Sequence, residues 1–94
     1  MVSKTFIVQN KYGIHARPAR LIVQTAMQFK SDIQIAKNNE EINAKSIMGI
    51  LMLEARKGTE LEIRCHGEDE EQALEQMGQI FNKISELKEW EEEV

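Results

Sequence analysis

The chain has 94 residues and a formal net charge of −4, with 41% hydrophobic and 30% charged side chains; that is one domain's length with a modest core, too apolar for a disordered chain. No apolar run approaches the ~18–20 residues that cross a bilayer, Met1-Val2-Ser3-Lys4 does not open a secretory signal, and the lone Cys65 can close neither an internal disulfide nor a zinc cluster. Membrane insertion and secretion are therefore not expected, and the cytoplasm is the expected location.

Thr5–Val8 is short and β-prone, with Phe6 and Val8 on one face. Asn10-Lys11-Tyr12-Gly13 follows as a turn. Residues 16–29 carry apolar groups at Ala19, Ile22, Val23, Ala26 and Phe29, the spacing of a helix. Pro18 sits near its start, where a missing N–H costs least. Asp32–Lys37 and Glu41–Ala44 alternate as strands, joined by Asn38-Asn39, which suits a tight hairpin because Asn tolerates φ > 0. Ser46–Arg56 fits a second helix stopped by Lys57-Gly58, and Glu60–Cys65 alternates again. The last helix shows an apolar stripe of Ala73, Met77, Ile80, Phe81, Ile84 and Leu87, with Asp69 or Glu68 as cap. The order β-α-β-β-α-β-α, with short connections and alternating strands, predicts an open-faced two-layer α/β (α+β) sandwich. In it a four-stranded, mostly antiparallel sheet carries three helices on one face and meets water on the other.

Charge is distributed unevenly. Residues 1–65 carry a net +4 and residues 66–94 a net −8. The basic part suits an acidic partner or a phosphate, and the acidic part argues against direct nucleic-acid binding. No repeat, linker or low-complexity stretch interrupts the chain, so 1–94 reads as a single domain with an acidic extension over about 88–94.

Gly13-Ile14-His15-Ala16-Arg17-Pro18-Ala19 is the informative segment. His15 falls where the first helix begins, and the first backbone N–H groups of a helix point outward toward an anion. The positive end of the helix dipole favours an uncharged, nucleophilic ring near neutral pH. Arg17 can set a guanidinium against phosphate oxygens. These are the parts needed to take a phosphoryl group on nitrogen, since histidine forms covalent intermediates. A histidine in a first turn is often only a solvated end residue. No apolar stripe, however, accounts for an arginine two residues later with a proline beside it.

The segment resembles the active-site motif of the HPr family, the histidine-containing phosphocarriers of the bacterial phosphoenolpyruvate-dependent sugar phosphotransferase system. Lys45-Ser46-Ile47-Met48-Gly49-Ile50 is similar to the regulatory serine motif of the Gram-positive type, at the matching separation. The resemblance runs over roughly residues 3–87. It implies that His15 takes phosphate on Nδ1 from enzyme I and passes it to sugar-specific IIA components, with Arg17 steadying the phosphate. It also implies that HPr kinase/phosphorylase modifies Ser46, giving a form that signals carbon status to a catabolite-control transcription regulator.

By its residues alone, Ser46 reads as a plain N-cap. Between Ile47 and Leu53 every residue except Gly49 is apolar, more than one buried stripe requires. Periodicity permits an inward face of 47/50/51 or of 50/53. Either leaves Met48 and Met52 outward as an adaptable docking surface, which Arg20, Gln24 and Met27 could join. The resemblance turns Ile47, Met48 and Leu51 toward partners. Arg20 stands where the family has a small residue, and Glu54 where many members have glycine, a change expected to matter little. Trp90 is expected to pack back on the last helix. Cys65 reads as a buried hydrophobe and His66 as a strand-end surface residue. No metal ligand set or nucleotide loop is evident, so no metal or cofactor is expected. The alternatives are a Ser46-phosphorylated regulatory binding protein with little sugar flux through His15 and, more distantly, an acylphosphatase-like enzyme.

Overall fold

The computed structural model of the protein describes residues 1–86. The chain runs β1 (Val2–Ile7), α1 (Ala16–Ala26), β2 (Asp32–Lys37), β3 (Glu40–Asn43), α2 (Ile47–Met52), β4 (Glu60–His66) and α3 (Glu70–Glu86). The four strands form one antiparallel sheet in the order β1-β4-β2-β3, so β4, the last strand made, slots between two laid down earlier. Along β4, Leu61, Ile63 and Cys65 are buried on the helix side, while Glu62 and Arg64 lie on the other face. Arg64 there ion-pairs with Glu62 and Glu41, as expected of a solvated face. Ile33 and Ile35 of β2 and Ile22 of α1 are buried against that layer, each worth about 2 kcal/mol of burial. The α3 stripe appears as predicted, with Ala73, Met77, Phe81 and Ile84 buried. Leu87, the acidic stretch at 88–94 and Trp90 lie outside the described residues. Among the described residues no helix is long and apolar enough to cross a membrane.

Several boundaries differ from the local reading. β1 begins at Val2, because Val2 to Ile7 pair residue by residue with Cys65 to Glu60, and that ladder recruits the polar Ser3 and Lys4. α1 ends at Ala26, three residues early; Phe29 packs against the core from the turn beyond it. The hairpin closes on the Lys37–Glu40 pair with Asn38 at φ 55°. α2 is six residues long instead of eleven, and Ile50 and Leu53 take the inward face.

Carbonyls at the ends of α1 and α2 are satisfied from afar. Lys45 Nζ donates to the Phe29 carbonyl just past α1, and Lys37 Nζ to the Leu53 carbonyl that ends α2, each at 2.7 Å. The start of α3 is tied down more heavily. Asp69 accepts from the Lys30 and Ser31 backbone N–H groups at 2.9 Å and from the buried Ser31 hydroxyl. That bonding, the Ser31 hydroxyl foremost, lowers the Asp69 carboxyl to about 2. Glu70 takes the Gly67 N–H at 3.1 Å, closing the turn ahead of the helix, and its carboxyl is lowered mainly for that reason.

Candidate functional site

The segment entering α1 is built by local and distant bonds together. Asn10 Nδ2 donates to the Gly13 carbonyl at 2.6 Å, and the Gly13 N–H returns to the Asn10 carbonyl at 3.0 Å. Gly13 has φ 69°, and a Cβ there would run into the Ala55 carbonyl and lie 2.9 Å from Arg56 Cα. Only glycine meets both demands. The next residue, Ile14, is buried and donates its N–H to the Ala55 carbonyl at 2.9 Å. The chain just ahead of His15 is thus clamped to the segment that follows α2.

That clamp explains the short α2. Glu54 leaves the helix in the left-handed region at φ 50°, which turns the Ala55 carbonyl to Ile14. The expectation that glutamate in place of glycine at position 54 matters little is therefore corrected: a side chain here costs about 1–2 kcal/mol of backbone strain. Neither Glu54 nor Ala55 was legible as part of the site, because their role is a backbone bond across 41 positions of sequence. The glycine habit of the family at 54 was the one available signal.

His15 is the N-cap of α1, with φ −90° and ψ −169° and no side-chain capping bond. Its carbonyl accepts the Ala19 N–H at 2.9 Å, so its backbone starts the helix while its ring is left for another use. The ring is partly exposed, and its Nε2 is buried without a hydrogen-bond partner. Tyr12 meets it edge-on at 6.4 Å between centroids. The first turn of α1 holds no acidic residue. Ala16 and Arg17 open the helix with N–H groups that have no intrahelical acceptor, and Pro18, buried at the third position, has none to offer. Arg17 and Arg20 are exposed beside this helix start.

Ser46 is the N-cap of α2, its Oγ accepting the Gly49 N–H at 3.1 Å. Glycine at 49 sits in a close contact: a Cβ would stand 3.3 Å from Ile42 Cβ, so that side chain would have to give by a few tenths of an ångström. With Ile50 and Leu53 turned in, Ile47, Met48 and Met52 are exposed, and Leu51 is half-buried against the core. α1 packs on α2, and Arg20, Gln24 and Met27 of its outer side are exposed. Cys65 is fully buried, and burial raises its thiol to about 11; His66 is exposed at the end of β4. Among the described residues no group of three or more His, Cys, Asp or Glu converges. Clefts lie elsewhere: one of about 640 Å³ along residues 67–72 at the start of α3, and one of about 420 Å³ between β1 and α3. Neither of these clefts is lined by His15, whose ring is partly exposed beside the start of α1.

Comparison with known proteins agrees with this geometry. The family model for the "PTS HPr component phosphorylation site" matches residues 2–83. The phosphocarrier protein HPr of Treponema pallidum is 47% identical over 87 residues, spanning 92% of this chain and 99% of the relative. That of Neisseria meningitidis serogroup A is 42% identical over 82 residues, spanning 87% and 92%. The crystal structure of HPr-C-His from Thermoanaerobacter tengcongensis superposes with a TM-score of 0.86 at 41% identity, covering 90% of this chain and 96% of that one. The chain belongs to the HPr family of phosphocarrier proteins of the sugar phosphotransferase system.

Proposed function

We propose that His15 is the phosphoryl carrier of this chain, taking the group on Nδ1 from enzyme I and giving it to sugar-specific IIA components. The observation that carries this is the ring itself: an N-cap histidine that caps nothing, with Nε2 buried, so that Nδ1 is the nitrogen left to react. In the transfer the Nδ1 lone pair forms the new N–P bond as the donor's own bond to phosphorus breaks, its electron pair staying with the donor. The Ala16 and Arg17 N–H groups and the Arg17 guanidinium meet the negative oxygens through that change. No pocket is needed, because both reactants are proteins and the work is positioning and charge.

Docking of enzyme I and IIA components falls to the surface around the histidine: Arg20, Gln24 and Met27 of α1 with Ile47, Met48, Leu51 and Met52 of α2. Incubation with enzyme I and radiolabelled phosphoenolpyruvate tests the carrier reading. Acid-labile label is expected on the native chain and none on His15→Ala, whereas equal labelling of the two would end it.

A second role rests on Ser46. A hydroxyl that already accepts the Gly49 N–H at a helix start can be exchanged for a phosphate there without loss of fold, while adding charge beside an apolar surface. HPr kinase/phosphorylase and a catabolite-control regulator are the corresponding partners. The whole chain, 1–94, acts as one domain in the cytoplasm in this reading. If regulation outweighs carriage, His15 labels poorly while ATP-dependent, acid-stable label appears and is lost in Ser46→Ala.

A further inference from the structure

The chain has five methionines, and they divide sharply. Met77 is fully buried in α3, whereas Met27, Met48 and Met52 are 62%, 63% and 70% exposed. Met27 caps the C-terminus of α1 and the other two lie on α2, the helix packed against it. The fifth, Met1, is 74% exposed at the far side, where its amino group pairs with Glu70 of α3. An exposed thioether is an oxidisable group, and its sulfoxide is polar where the parent side chain was apolar and adaptable. Three such groups on two adjoining elements mean that one oxidant can change a whole surface at once.

We propose that Met27, Met48 and Met52 form a methionine-oxidation site through which hydroperoxides reversibly disable partner docking. The proposal rests on the reading of this surface as the docking face. In each event a thioether sulfur attacks one oxygen of hydrogen peroxide. An S–O bond forms, the O–O bond breaks, sulfur gives up two electrons, and the displaced hydroxide takes the remaining proton to leave as water. The core is spared because Met77 offers no sulfur to solvent. The fold is spared because none of the three side chains belongs to the buried cluster.

The full chain, folded, is treated with hydrogen peroxide and mapped by peptide mass. Oxygen is expected at Met27, Met48 and Met52, and at Met1, with Met77 unmodified and the thermal transition retained. Phosphoryl acceptance from enzyme I is expected to slow by about tenfold, and a methionine sulfoxide reductase with dithiol is expected to restore it. A variant with all three replaced by Leu is expected to show one rate before and after peroxide, although Met1 still oxidises. Sulfoxides at all three positions with an unchanged rate overturn the proposal, as does an equal peroxide loss in the triple variant. Met48→Glu with Met52→Glu separates the two ideas. If that pair leaves the rate unchanged, the docking reading itself fails. If the pair slows transfer and the sulfoxides do not, only oxidative control fails.

Discussion

The starts of α1 and α3 use the same backbone geometry for opposite ends. At the start of α3 two carboxylates bond to other parts of the chain: Asp69 takes three donors from the turn before β2, and Glu70 takes the Gly67 N–H and pairs with the N-terminal ammonium. Two acidic residues fill its first turn. α1 starts differently. The N-cap side chain makes no capping bond, no acid stands in the first turn, and arginines flank the approach. A helix start whose acidic side chains are bonded to distant parts of the chain is a structural joint. One that is held in place from behind, by the Ala55 carbonyl on Ile14, and has no side-chain cap is where we propose the phosphoryl group is received. α2 stands between them, capped by the Ser46 hydroxyl, which the proposed phosphorylation would replace by a stronger acceptor.

The contrast can be broken first at its support. Gly13→Ala combines a positive φ with a Cβ driven into the Ala55 carbonyl, and should cost about 3 kcal/mol or more in urea unfolding. Phosphoryl acceptance should fall with it, because the clamp ahead of His15 opens; a variant of native stability would show that the clamp is dispensable.

Next comes the closed helix start. The Asp69 carboxyl lies at about 2 in the folded chain against an ordinary 3.8. A depressed folded value means stability that is complete above about pH 4 and is lost as pH falls from there toward 2. Asp69→Asn should lower Tm at pH 7 and remove that part of the acid dependence, with His15 labelling per folded molecule unchanged. An unaltered pH–stability curve would show that the three donors do not discriminate the charged form.

Smaller effects sharpen the middle case and the support. Ser46→Ala should cost about 1 kcal/mol, the ordinary worth of an N-cap, read by denaturant midpoint. Glu54→Gly should go the other way, raising stability by about 1 kcal/mol, since it relieves the left-handed side chain and removes a carboxylate from a helix C-terminus. If Glu54→Gly destabilises, the φ of 50° is not strained in this setting.

Much of this molecule was already written in local order. Alternation placed Ile33 and Ile35, and Leu61, Ile63 and Cys65, on inner faces; the 3.6-residue stripe placed Ala73, Met77, Phe81 and Ile84; Asn38 marked the hairpin; and His15 with Arg17 marked the open helix start. Those features depend on neighbours within a turn or a pleat, where residue type and spacing carry the physics. Tertiary structure alone decided where α2 stops, which of its faces is buried, why β1 reaches back to Val2, and that Asp69 serves the β2 turn more than its own helix. Each of those is a bond or ladder between residues far apart in the chain, and a backbone group's partner leaves no mark on the side chains around it.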